Sequence, residues 1–439
     1  MMGLNRSTWA ALLIGVAVWC APMASTFAQD SPKKERKAAG TLSETTYRQL
    51  ERIHDLIGKN KNAEALEKAT ALKDRIRGDY EKAVVMQTIA FIYIGQNNYK
   101  GAIASFEEAL KLDALPQQPY EQMLYNVAQL YFQDGQTDKA IQRMEQYFSE
   151  ATIDPPADAH ILLASAYADR KRFGDALPQV DKAIAKSKTP KESWLQLKLA
   201  LHYELKQYPQ CAEVLLKLVS LVPDKQDYWK QLASILFEIK RDKESLAVLA
   251  LAERQGFLEK DSEIRNLANI YLLLEIPYKA AAVLQSGLDS KILKADEKTL
   301  SLLGDAWTMA REYGQAEKVL LQAASLSESG EIYYRLGQIY VEDERWKEAL
   351  SALSKARAKG IKKMGDAAYL QGIAAFQSGN SKLAVDLLRN AQQYDESRSA
   401  AGQWLNHIAQ LEEMEAQKAS AAAEATTEGD EAAEPAASN

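Results

Sequence analysis

The chain reads as an all-α solenoid of about ten helix–turn–helix repeats closed by a C-terminal capping helix. Three observations carry that reading. The segment RLGQIYVEDERWKEALSALSKA (335–356) is rewritten along the chain, as VAQLYFQDGQTDKAIQRMEQY at 127–147 and as LANIYLLLEIPYKAAAVLQSG at 267–287. A small residue opening the second apolar run recurs at Ala65, Ala102, Ala140, Ala176, Cys211, Ser245, Ala280, Ala316, Ala349 and Ala384, at intervals of 33 to 38 residues. Such a period marks a repeat array rather than one large core. Within each copy both apolar runs have the spacing of one helix face.

Taken in order, the elements begin with a processing signal. Arg6, the apolar run WAALLIGVAVWCA (9–21) and Thr26-Phe27-Ala28 form the secretory pattern, with a cut after Ala28. The run is shorter than the ~20 residues of a membrane span, so no integral span is expected once the signal is removed. A basic flexible linker, 29–42, follows and contains SPKKERKAAG (31–40). The repeats are expected over 43–397 and the capping helix over 398–417. An acidic, Ala-rich tail, 418–439, is expected to stay disordered.

Inside the quoted repeat, Leu336, Gly337 and Tyr340 share one helix face, and Ala349, Leu353 and Ala356 share the other. The polar gap Glu342–Arg345 is short enough to force the two helices antiparallel. Gly337 and Ala349 let the axes approach while Tyr340 and Trp346 fill the space beside them. Each pair leaves an apolar face that the next pair must cover, so stacking is obligatory.

Charge and cysteine narrow the function classes. Residues 412–439 hold eight acids and one base, while the remainder of the chain after Ala28 balances at 52 of each. That body offers no general basic surface, which excludes nucleic acid as the expected partner. Removing 1–28 takes Cys20 with it and leaves Cys211 without an internal disulfide partner. Its place in the repeat marks it as a small buried apolar residue.

The repeat resembles the tetratricopeptide repeat, a helix–turn–helix unit with Leu-Gly, Tyr and Ala at fixed offsets. The resemblance is carried by Leu303-Gly304, Ala316 and Ala323, and by Leu336-Gly337, Tyr340, Ala349 and Ala356. Trp229, Leu232-Ala233 and Ala252 carry it too, as do Leu267-Ala268, Tyr271 and Ala280. It weakens in the first unit and in the fifth, where Cys211 replaces Ala and His202 the aromatic. The fold it implies is a right-handed α-solenoid. The block GFLEKDSEIRNLANIYLLLEIPYKAA (256–281), with YWKQLASILFEIKR (228–241), is also similar to periplasmic tetratricopeptide proteins that accompany TonB systems. That similarity implies a periplasmic accessory of TonB–ExbB–ExbD-type complexes, with envelope proteins as partners.

The residues themselves offer no catalytic constellation. His54, His160, His202 and His407 stand on separate repeats without metal-ligand spacing, and His160 and His202 fall at inward positions. There is no phosphate loop and no nucleophile elbow, so neither an enzyme nor a cofactor or metal is expected. What a solenoid supplies is a long concave face lined by first-helix residues outside the core. The phase places Tyr125, Asn126 and Gln129 there, then Arg265, Asn266 and Asn269, then Tyr334, Arg335 and Gln338. Asn and Gln can pair with a peptide backbone, and Arg can grip a carboxylate. Taken singly, each also fits an ordinary solvated helix face. The expected role is a binding scaffold that holds a segment of another envelope protein. The alternative is a structural or assembly adaptor for other outer-membrane or cell-wall machinery.

Overall fold

The structure, a computed structural model, describes residues 40–431, and its regular elements there are all α-helices. The signal segment and most of the basic linker lie outside the described residues. The described residues divide into two compact units, one ending at Lys240 and the other beginning at Arg241, with the boundary in the turn inside the sixth repeat.

In the first unit the repeats pair α1 (Glu44–Gly58) with α2 (Asn62–Arg75) and α3 (Asp79–Gly95) with α4 (Tyr99–Lys111). Next come α5 (Gln117–Gln133) with α6 (Thr137–Glu150), then α7 (Ala157–Asp169) with α8 (Phe173–Ala185). The unit ends with α9 (Glu192–Glu204), α10 (Tyr208–Leu221) and α11 (Gln226–Glu238). The second unit opens with α12 (Asp242–Arg254) and pairs α13 (Asp261–Leu273) with α14 (Pro277–Asp289). It continues with α15 (Glu297–Met309) and α16 (Tyr313–Leu326), then α17 (Glu331–Glu342) and α18 (Trp346–Lys359). It closes with α19 (Met364–Gln377), α20 (Ser381–Ala391) and α21 (Arg398–Glu431).

The turn inside each repeat is one device used ten times. A left-handed residue stands five places before each small residue of the sequence alignment: Asn60, Asn97, Gly135, Lys171, Lys206, Lys240, Glu275, Arg311, Glu344 and Gly379. The following N–H reaches back five residues, from Gln136 to the Tyr131 carbonyl, from Arg172 to Tyr167 and from Arg345 to Tyr340, each at 2.8 Å. Lys171 N–H bonds the Ala168 carbonyl at 2.9 Å, completing a Schellman cap that satisfies carbonyls the helix leaves open. Eight of the ten left-handed residues carry a side chain, at a cost of about 1–2 kcal/mol each.

All ten small residues are fully buried, Cys211 and Ser245 among them. Where the first helix also has Gly, the facing Leu takes the vacated volume. A Cβ on Gly337 would lie 2.5 Å from Leu353 Cγ, and one on Gly304 2.5 Å from Leu320 Cγ. Burial pushes the Cys211 thiol up to about 11, so it packs rather than reacts.

The last helix runs further than the sequence reading had it. Ala401 and Ile408 are buried against the array, and the helix continues past 417 to Glu431, through the stretch expected as disordered tail. Ala and Glu are strong helix formers, and acidic content does not offset that propensity. Residues 432–439 lie outside the described residues.

Candidate protein-binding face

Within each unit the odd-numbered helices form the side on which neighbouring repeats converge. The first helices α5 and α7, α7 and α9, and α17 and α19 pack directly on each other, whereas no pair of neighbouring second helices packs comparably. The three expected groups occupy the same three places on α5, α13 and α17, fifteen, fourteen and eleven residues before the small residue.

The structure treats the nine side chains differently. Asn266 and Asn269 on α13 are exposed, and no other described residue hydrogen-bonds to their side chains. Gln338 on α17 is exposed and donates a long bond, 3.4 Å, to the Tyr334 hydroxyl. Asn126 and Gln129 on α5 are half-buried: Asn126 accepts from Gln122 at 2.9 Å, and Gln129 donates to the Tyr125 hydroxyl at 3.2 Å. Tyr125 is half-buried, its ring centroid 5.7 Å from that of Tyr147, and burial followed by the charge of Asp158 raises its phenol pKa.

Tyr334 does not belong to the free face. It is 7% exposed and packs with Leu353, Ala356 and Ala367. The neighbouring α18 and α19 present small residues at that place, and the ring fills the volume they leave.

The two arginines are held inside the chain rather than open to a ligand. Arg265 Nε bonds Asp261 at 2.6 Å and its guanidinium reaches Thr299 Oγ1 at 2.5 Å, one repeat on. Arg335 Nη1 bonds Ser301 at 2.6 Å and Asp305 at 2.8 Å, one repeat back. Burial raises the Asp305 pKa, and Arg335 opposes that shift. Asp261, Thr299, Ser301 and Asp305 had no place in the sequence reading, although complementary residues one period apart on first helices were a readable signal.

A second recurring cluster ties the repeats together at the ends of the first helices. Tyr340 donates to Glu317 at 2.8 Å, Arg345 bonds the same carboxylate at 2.6 Å, and its guanidinium lies 4.6 Å from the Tyr340 ring. Tyr167, Glu145 and Arg172 repeat the arrangement, with a 2.8 Å bond and a 4.3 Å stack. Tyr131 donates to Glu107 at 3.0 Å, and burial followed by that acid pushes its phenol up to about 12.

The buried histidines have partners. His160 Nδ1 lies 2.8 Å from Gln179 Oε1 with Phe148 against its ring, and His202 Nδ1 lies 2.7 Å from Gln207 Oε1. Burial lowers the His160 pKa. Among the described residues, no group of His, Cys, Asp and Glu could hold a metal ion, and no helix is long and apolar enough to cross a membrane.

Comparison with known proteins meets this geometry at the repeat. A family profile described as tetratricopeptide repeat matches residues 90–151, 125–191 and 334–401. Residues 90–191 and 334–401 carry tetratricopeptide repeats. The array is similar to a tetratricopeptide repeat protein from Parabacteroides merdae at 14% identity, covering 78% of this chain and 99% of that one, TM-score 0.37. It is also similar to the C-terminal part of a repeat protein from Cytophaga hutchinsonii at 15% identity, covering 63% and 95%, TM-score 0.35. A third is YrrB, described as a repeat protein with an unusual peptide-binding site, at 19% identity, covering 44% and 99%, TM-score 0.34. No curated protein matches the chain. Proteins built from tetratricopeptide repeats act as protein-interaction scaffolds, so a protein is the partner class this array suggests.

Proposed function

We infer that this tetratricopeptide array is a non-enzymatic, exported scaffold that holds a segment of an envelope protein against its first-helix face in the second unit. The observation that carries the reading is the pair Asn269 and Gln338, exposed amides at the same place on α13 and α17, with Asn266 exposed one turn before Asn269. An amide tip offers a donor and an acceptor together, the pairing an extended backbone requires. Arg265 and Arg335 shape that face by tying successive first helices together.

The complex it serves, on this proposal, is a TonB–ExbB–ExbD-type system that energises outer-membrane uptake, with the protein as a periplasmic accessory. The support is the likeness of 228–241 and 256–281 to periplasmic repeat proteins of such systems, together with the secretory pattern before Ala28. Photocrosslinking in cells from position 338 tests it, because Gln338 is exposed where Tyr334 is not. Capture of a TonB-, ExbB- or ExbD-type protein is the expected result. Capture of an unrelated envelope protein keeps the scaffold and removes the transport system. No specific capture from a folded, exported protein removes the binding face and leaves a bracing role.

A further inference from the structure

The turn joining α18 to α19 gathers more positive charge than the described acids beside it balance. Lys355, Arg357, Lys359, Lys362 and Lys363 fall within nine residues that contain no acid, and the four lysines are exposed. Among the described residues the ion-pair partner within 4 Å is Asp366, 3.8 Å from Lys363. Glu331 also reaches this turn, where its carboxylate accepts the backbone N–H of Lys362, and Glu396 stands beside Gly365, its Oε1 2.9 Å from where a Gly365 Cβ would lie. Arg357 is held by amide oxygens, Gln371 at 2.8 Å and Asn390 at 2.6 Å, and Lys359 by the Ser327 carbonyl at 2.7 Å. The negative end of α18 favours Arg357 and Lys359 in its last turn, while Lys362 and Lys363 lie past it.

The same unit carries the opposite excess on α21. Ile408 is buried, Leu411 half-buried, and every residue from Glu412 to Ser420 exposed, so the helix leaves the array there. From Glu412 to Glu431 the sequence has seven acids and one Lys. Helices α18 to α21 alternate in direction, so α21 starts at Arg398 on the edge that bears the lysine turn and runs away from it. At 1.5 Å per residue, Glu412 stands roughly 20 Å along the helix from that edge, and the helix backbone carries on away from it to Glu431. A helix running that way cannot return Glu412, Glu413 or Glu415 to its own lysines.

We propose that the acidic stretch of α21, Glu412–Glu431, docks on the Lys355–Lys363 edge of a second copy of this chain. The contact joins two different surfaces, so it closes reciprocally between two copies or propagates from copy to copy, according to the rotation it imposes. It is held by exposed charge and is weakened by salt. It goes beyond the scaffold reading and does not depend on it.

Sedimentation velocity of the full chain, with anisotropy of a labelled peptide of residues 409–434, tests the proposal. At about 50 mM NaCl the chain forms concentration-dependent oligomers and binds the peptide. At about 500 mM both weaken by roughly tenfold or more, as screening shortens the reach of exposed charges. Lys355→Glu, Lys362→Glu and Lys363→Glu together, which spare the Lys359 bond to Ser327, abolish both with the helical circular dichroism unchanged. A peptide whose acids are replaced by Lys then binds the reversed chain. A chain that stays monomeric at low salt and ignores the peptide overturns the proposal, as does peptide binding that survives the charge reversal. A monomeric chain that binds polyglutamate as tightly as its own peptide assigns the edge to a foreign acidic segment and overturns the second copy.

Discussion

Helices α7 and α13 hold the same station in their repeats and meet opposite fates. In α7 ten consecutive residues, Ala159 to Ala168, are buried, including Ser165 at 1% exposure. In α13 the corresponding place is Asn269, which is exposed, as is Asn266 one turn before. First helices pack on both sides of α7, and its Ala-rich, apolar sequence lets them close over it. The repeat signature governs how the two helices of a pair meet; the remaining first-helix positions decide whether a unit adds core or keeps a free polar face. The first unit does the former between α5 and α9, the second the latter at α13 and α17.

The largest effect that would sharpen this contrast is expected in the first unit. Phe106 is fully buried there in a core that extends from Ala83 to Leu201, so Phe106→Ala should cost about 3–5 kcal/mol. Urea denaturation measures it, and a loss near zero would break the picture of a closed first unit. In the second unit, Gly337→Leu should cost about 1–3 kcal/mol by overpacking against Leu353. Gly337→Ala should cost less, because Ala268 stands at the same place in α13. Equal costs for the two substitutions would place the contact elsewhere.

A smaller, pH-dependent effect belongs to the Tyr340–Glu317–Arg345 cluster. Hydrogen bonds from Arg345, ahead of the one from Tyr340, lower the Glu317 pKa below its ordinary 4.5. A lowered folded-state pKa stabilises above the unfolded value and loses that contribution as pH falls through the folded one. Thermal melts of Glu317→Gln should therefore show a deficit at neutral pH that disappears in acid below the carboxylate range. A deficit that stays constant with pH would mean the carboxylate charge is not what ties the repeats. Smallest of all, Lys206→Gly should stabilise by about 0.5–1 kcal/mol, since glycine removes left-handed strain but gains freedom when unfolded.

Much of the fold was legible because the period is written in small residues. Each left-handed turn residue stands five places before one of them, from Asn60 and Ala65 to Gly379 and Ala384, so the turns share the intervals of the alignment. The free face was legible in part. Helical phase puts Tyr334 and Arg335 beside each other, yet phase does not say that Ala356 and Ala367 leave a hole for one ring. Nor does it say that Asp305 and Ser301 hold the other side chain. Both outcomes depend on the adjacent repeat, whose complementary residues lie about one period away in sequence. Lys191 with Asp158, Lys225 with Glu192 and Arg143 with Glu107 follow that rule, at separations of 33, 33 and 36 residues.

The contrast rests on one first-helix position, closed at Ser165 in α7 and open at Asn269 in α13. Thiol labelling of Ser165→Cys and Asn269→Cys, in a chain with Cys20→Ser, compares them directly against Cys211, which burial keeps silent. The cysteine at 269 should react at the rate of a free thiol. The one at 165 should react more than about 100-fold slower, the protection given by an opening free energy near 3 kcal/mol. Comparable rates at the two positions would contradict it.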